Sequence, residues 1–176
     1  LVDLEINELI INRINQKYKD INWEILSEEN YKINSQYCGN TEWLWVLDPL
    51  DGTKDFIQGT GNYAMHLALN YKRKPYMGVV LIPERDELWI SYAEKLWCEK
   101  RDGSICKQNL SNTNILQEMT IVKSKNHRNQ KLKDLIEKIN FKKTIVMGSI
   151  GCKIASIIRG DSDIYIALSL PGKSAP

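Results

Sequence analysis

Residues 43–53 read Trp43-Leu44-Trp45-Val46-Leu47-Asp48-Pro49-Leu50-Asp51-Gly52-Thr53, and this stretch decides the fold. The unbroken apolar run from Trp43 to Leu47 suits a strand buried on both faces, as in a sheet covered by helices. Asp48 and Asp51 follow on an expected turn, with Pro49 fixing it and the Leu50 carbonyl left free as a third oxygen. Hard divalent cations take such oxygen donors, and Mg²⁺ combines a few carboxylates with phosphate and water. Gly52 and Thr53 fall at the start of a short helix expected over 54–58, where backbone N–H groups suit an anion. Carboxylates for a cation beside amides for a phosphate is the layout of metal-assisted phosphoryl transfer. The same residue types also build ordinary turns and helix caps, and that plainer reading stands beside the chemical one.

Two neighbouring segments favour the chemical reading. Glu24–Ser27 is expected to be a short strand ending in Glu28-Glu29, which can reach the same end of the sheet. Asp3 stands at the start of an amphipathic helix over 4–18, marked by Ile6, Leu9, Ile10, Ile14 and Tyr18. A solvated acidic pair and an N-cap explain each segment singly, but not their shared position beside element ends. The Asp-x-Asp-x-Thr nucleophile turn of haloacid dehalogenase-type phosphatases is one residue shorter, so the spacing here suits metal binding better than attack.

Beyond the motif, Tyr63–Tyr71, Tyr76–Ile82, Glu87–Tyr92 and Lys95–Glu99 are strand-length runs, with Lys74-Pro75 and Pro83-Glu84 read as turn residues. Their short connections predict an antiparallel meander. Composition turns polar around Lys107–Leu116. The pattern then alternates strand (119–122), helix (130–139), strand (144–147), helix (151–158) and strand (163–168), an α/β signature. We therefore expect an α+β metal-binding half over 1–116 and a partial α/β half over 117–176.

The chain has 176 residues with 43% hydrophobic and 26% charged content, values of a globular domain rather than a disordered or fibrous one. No apolar run reaches membrane-spanning length. A net charge of +2 is too balanced to make nucleic acid or an anionic membrane the main partner. Cys38, Cys98, Cys106 and Cys152 form no Cys-x-x-Cys pair and read as reduced thiols, which places the protein in the cytoplasm. The chain opens on Leu1-Val2-Asp3 and stops at Pro176 after a Gly/Pro/Ser loop, so an internal fragment is expected. His66 in an alternating strand and His127 in a basic stretch read as non-catalytic. Trp43, Trp45, Trp89 and Trp97 read as packing. Lys123–Lys143 holds eight Lys/Arg against two acids and reads as a solvated helix face.

Leu26-Ser27-Glu28-Glu29, then Trp45 through Asp48-Pro49-Leu50-Asp51-Gly52-Thr53-Lys54-Asp55-Phe56, with Val2-Asp3 ahead of a helix, resembles the inositol monophosphatase superfamily of Mg²⁺-dependent phosphatases. Lys54, Phe56 and Leu170–Pro176 are most similar to its 3′(2′),5′-bisphosphate nucleotidase branch. The resemblance implies an αβαβα layered sandwich, incomplete in its C-terminal half, and a cluster of two or three Mg²⁺ ions. It implies Glu28, Asp48 and the Leu50 carbonyl at the first ion, and Asp48 with Asp51 at the second. Asp3 with Thr53 would orient and deprotonate the attacking water, and Glu28 belongs to the same catalytic set. Asp51 and the Gly52 and Thr53 amides would hold the substrate, with Gly148 and Ser149 against its sugar. Lys54, Lys153 and Lys173 are candidates for a second phosphate.

The implied reaction is hydrolysis of the 3′-phosphate of adenosine 3′,5′-bisphosphate to AMP and phosphate. An inositol or sugar monophosphatase, or a metal- and anion-binding fragment without turnover, are the alternatives. The partner is then a small phosphorylated nucleotide or sugar, and oligomeric state is left open. The family carries a Trp-Asp a few residues beyond the stretch that matches Pro171–Pro176. The resemblance therefore implies weak or no activity, and poor stability, for the chain as it stands.

Overall fold

A computed structural model describes residues 2–33, 41–125 and 130–168. Cys38, His127 and the Leu170–Pro176 motif with Lys173 lie outside them. The chain divides into two compact units, Leu1–Cys106 and Lys107–Pro176.

In the first unit, helix α1 (Val2–Lys17) precedes strand β1 (Trp23–Ser27), helix α2 (Glu28–Ile33), strand β2 (Trp43–Asp51) and helix α3 (Thr53–Ile57). Four strands follow: β3 (Ala64–Tyr71), β4 (Lys74–Ile82), β5 (Glu87–Tyr92) and β6 (Lys95–Glu99). All six form one sheet in chain order. β1 runs parallel to β2, and the other neighbours are antiparallel, so the expected meander is present. Leu47, Ala64, Ile82, Trp89 and Cys98 are buried in this unit.

Several details depart from the sequence expectations. Glu28 and Glu29 do not end a strand; they open α2. The buried Ser27 hydroxyl accepts the Asn30 N–H at 3.1 Å, an N-cap that ends β1 and starts the helix, with two acids in its first turn. β2 is not buried on both faces, since Trp43 to Val46 are only half-buried and Leu47 alone of that run is enclosed. It also does not stop at Leu47 but continues through the Asp-Pro-Leu-Asp segment.

The β3–β4 turn falls on Lys72 and Arg73 rather than on Lys74-Pro75. Both residues have positive φ, 49° and 63°, as the primed two-residue hairpin turn demands. Ala93 and Glu94 repeat this between β5 and β6, with φ 48° and 62°. Neither turn contains Gly or Asn, so the usual signal was lacking. Helix α1 matches its expected span, but of its apolar positions only Ile14 is buried, and Leu9 and Tyr18 are exposed.

The second unit contains β7 (Thr120–Ser124), α4 (Gln130–Ile139), β8 (Lys143–Met147), α5 (Ile150–Arg159) and β9 (Ile164–Tyr165). The strands are all parallel in the order β8-β7-β9, with helices as crossovers. β9 is shorter than the expected 163–168 strand. Ile121, Val122, Leu132, Met147, Cys152 and Ala155 are buried. α5 ends at Gly160, whose φ of 82° is left-handed, and a Cβ there would overlap the Asn109 carbonyl oxygen. Only glycine meets both conditions.

Candidate active site

The end of β2 is built around a bulge. Asp48 pairs with His66 of β3 and Asp51 pairs with Ala64, so three steps along β2 match two along β3. In a regular strand, residues three apart point to opposite faces. The extra residue absorbed here returns Asp51 to the face that Asp48 occupies. Pro49 and Leu50 fill the bulge, and the Leu50 N–H donates to Asp48 Oδ1 at 3.1 Å. The bulge therefore does what the sequence reading assigned to a turn: it aims both carboxylates the same way.

Two more elements converge on this end. β1 is parallel to β2 with Ser27 level with Leu47, so Glu28 and Asp48 emerge side by side. The two carboxyl groups are close enough for the Glu28 charge to act on Asp48. Burial, reinforced by the charges of Glu28 and then Asp51, pushes the Asp48 carboxyl up to about 7. The Leu50 N–H opposes that rise by stabilising the charged form.

The single Thr53 hydroxyl proton has two acceptors in reach, the Leu50 carbonyl at 3.2 Å and, from α1, Asp3 Oδ2 at 3.5 Å. Gly52 stands between Asp51 and α3 with φ 91°, a left-handed conformation that frees the chain to turn from strand into helix. The Asp55 and Phe56 N–H groups bond its carbonyl at 2.8 and 3.0 Å. Asp55 is itself buried and accepts the Thr60 hydroxyl at 2.5 Å, which ties the end of α3 to the following loop.

Asp3, Glu28, Asp48, Leu50, Asp51, Gly52 and Thr53 thus gather at one end of the first unit's sheet. Their donors are carboxylate, carbonyl and hydroxyl oxygens, the set a hard cation takes. Among the described residues no group of three or more His, Cys, Asp or Glu side chains closes to metal-holding geometry. The carboxylates are close enough to crowd Asp48, yet they are not drawn around one point. The charge crowding at Asp48 is the feature a cation would relieve.

Sequence reasoning set His66 aside, yet its Nε2 lies 3.4 Å from Asp51 Oδ2. Only the β2–β3 register, with its bulge, could have found it. Gly148, Ser149 and Lys153 lie in the second unit. Gly148 joins β8 to α5, and the buried Ser149 hydroxyl caps α5 by accepting the Cys152 N–H at 3.2 Å. Lys153 is 2% exposed, and its Nζ donates to the Gly148 carbonyl at 2.8 Å and to Ser124 Oγ at 3.0 Å. It also lies 5.2 Å from the centre of the Tyr165 ring. Lys54 is exposed.

Residues 1–174 match the inositol monophosphatase family. The chain belongs to that family. It is 34% identical over 141 residues to the 3′(2′),5′-bisphosphate nucleotidase CysQ of Buchnera aphidicola, covering 80% of this chain and 51% of the relative. The Haemophilus influenzae CysQ is 24% identical over 171 residues, 97% of this chain and 63% of the relative. Inositol monophosphatase-II from Staphylococcus aureus superposes with a TM-score of 0.74 at 24% identity, over 93% of this chain and 59% of that one. The inositol monophosphatase fold expected from the sequence is therefore present. The chain spans about half to two thirds of the length of the relatives it matches. No helix among the described residues is long and apolar enough to cross a membrane.

Proposed function

We propose that this chain carries the metal-binding part of a Mg²⁺-dependent phosphomonoesterase that removes the 3′-phosphate of adenosine 3′,5′-bisphosphate, giving AMP and phosphate. The carrying observation is the convergence of Glu28, Asp48 and Asp51, with the Asp48 carboxyl pushed up to about 7 by burial and by its two neighbours. Such crowding is costly unless a cation or a proton relieves it. Mg²⁺ bound there would offset charge on the phosphoryl oxygens and make water more acidic.

In this reading, Glu28, Asp48, the Leu50 carbonyl and Asp51 would hold the ions. Asp3 accepts from Thr53 Oγ1 and takes the proton of the attacking water. Water adds to phosphorus, the bond to the 3′ oxygen breaks, and that oxygen takes its proton from solvent water. The Gly52 and Thr53 amides hold the phosphate before and after transfer. Within the second unit, the Ser149 hydroxyl is committed to capping α5.

The choice of a nucleotide rests on the CysQ relatives. Hydrolysis of an inositol or sugar phosphate by the same residues is the second reading, favoured by the family description itself. Mg²⁺-dependent phosphate release from adenosine 3′,5′-bisphosphate and from inositol 1-phosphate, with Asp51→Asn as control, separates the two. Faster release from the nucleotide, lost in the control, is the expected result. Faster release from inositol phosphate transfers the assignment. Mg²⁺ binding without turnover on either substrate leaves a metal- and anion-binding fragment.

A further inference from the structure

We propose that Cys98 and Cys106 form a redox pair, closed to a disulfide by a low-molecular-weight disulfide and reopened by a thiol. After β6 the chain folds back on itself. The Lys100 N–H donates to the Ser104 carbonyl at 2.9 Å, Glu99 bridges Ile105 in antiparallel sense, and the Cys106 N–H donates to the Cys98 carbonyl at 2.8 Å. All three contacts keep one register, so the two cysteines stand directly opposite each other. Opposite residues of an antiparallel pair share a face. In the hydrogen-bonded kind of pair their Cα atoms are about 5.5 Å apart. A disulfide spans about 4.4–6.8 Å between Cα atoms, so the bond can form across this pair. It must draw the Cβ atoms from about 5 Å to about 4 Å, and a bond strained in this way is readily reduced. β6 is fixed by β5, whereas Cys106 lies in no strand, so the second side can shift to meet the first.

The two thiols divide the work. Cys98 is 0% exposed, while Cys106 is partly open to solvent. Burial first, then the neighbouring Cys106, pushes the Cys98 thiol up to about 12, which makes it inert toward outside reagents. With glutathione disulfide as oxidant, the Cys106 thiolate attacks one sulfur. The glutathione S–S bond breaks, and one glutathione leaves with the proton that Cys106 lost. The Cys98 sulfur then attacks the Cys106 sulfur, the mixed S–S bond breaks, and the second glutathione departs with the Cys98 proton. Two protein thiols are oxidised and one disulfide is reduced to two thiols. The mixed disulfide is neutral at Cys106, so one cause of the raised Cys98 value lapses when the second step begins.

The test exposes the reduced 176-residue chain to glutathione disulfide, alkylates the remaining thiols and digests with trypsin without reduction. Cleavage after Lys95, Lys100, Arg101 and Lys107 separates Leu96–Lys100 from Asp102–Lys107, so the link appears as their joined mass. The joined peptides are expected at about 10-fold or more over any pairing with Cys38 or Cys152, because the hairpin holds the two sulfurs together. Excess reduced glutathione should separate them again. In urea the preference should shrink, since spacing along the chain alone then sets the pairing. An equal preference in urea overturns the proposal, because the hairpin would contribute nothing. Glutathione retained on Cys106 with Cys98 alkylated also overturns it, and so does a Cys106→Ser chain in which Cys98 still exchanges at the original rate.

Discussion

The end of β2 and the start of α5 handle buried charge in opposite ways. At β2, burial and the like charges of Glu28 and Asp51 raise the affinity of the Asp48 carboxyl for its proton. At α5, the buried Lys153 ammonium is matched to the Gly148 carbonyl, the Ser124 hydroxyl and the face of Tyr165. The first arrangement spends stability to keep like charges together, and the second spends a charge to hold a turn. Both are rich in ionisable groups. Only the first has a deficit that a ligand could fill, and this separates a binding site from a structural one where composition does not.

The sharpest way to break the contrast is to remove one carboxylate. Asp51→Asn is expected to lower Mg²⁺-dependent phosphate release by about 100-fold or more, in line with the loss of a group that stabilises transition-state charge. Metal-free stability should hold or rise, because like-charge repulsion falls. Steady-state phosphate release and a thermal melt read the two effects. Lost stability with unchanged phosphate release would place Asp51 among structural groups.

The complementary change is Lys153→Met. It removes the ammonium donor from the half-buried Gly148 carbonyl and Ser124 hydroxyl, at about 1 kcal/mol per hydrogen bond lost. The melting temperature should fall by several degrees while the Mg²⁺ response of the β2 site persists. A variant that melts normally yet fails to bind substrate would move Lys153 out of the structural class. Ser149→Ala is milder, because only an N-cap is lost. About 1 kcal/mol is expected, measured by urea unfolding.

The sequence was most legible where one local pattern had one physical meaning. The apolar run into Asp-Pro-Leu-Asp-Gly-Thr located β2 and its carboxylates, and helix periodicity placed α1, α4 and α5 within a residue or two. It was least legible where the deciding fact was register. Nothing in the spacing of Asp48 and Asp51 says that a bulge, rather than a turn, brings them to one face. The approach of His66 to Asp51 follows from that bulge alone. The β3–β4 and β5–β6 turns were hidden for another reason: Lys72, Arg73, Ala93 and Glu94 adopt left-handed backbone without the residues that prefer it. Sheet pairing on both sides sets those conformations, so local preference is overruled. The acidic pair after β1 was misread because its cap, Ser27, also completes the strand.

The smallest expected effect concerns pH and sharpens the comparison at the β2 site alone. The Asp48 carboxyl is raised from 3.8 to about 7 in the folded chain. Between those values the native state holds a proton that the unfolded chain releases, so stability falls as pH rises through that window. The contribution is complete below the unfolded value and gone above about 7. The carboxyl is only half-buried, so solvent screening keeps the effect to about a few degrees of melting temperature at most. Mg²⁺ competes with the proton for the same oxygens. Its stabilisation of the chain should therefore be larger at pH 8 than at pH 6, where protonated Asp48 must first be emptied. Asp48→Asn should remove both the pH slope and its dependence on Mg²⁺. Melts at the two pH values, with and without Mg²⁺, decide the matter, and a Mg²⁺ shift of equal size at both would mean that the ion binds away from Asp48.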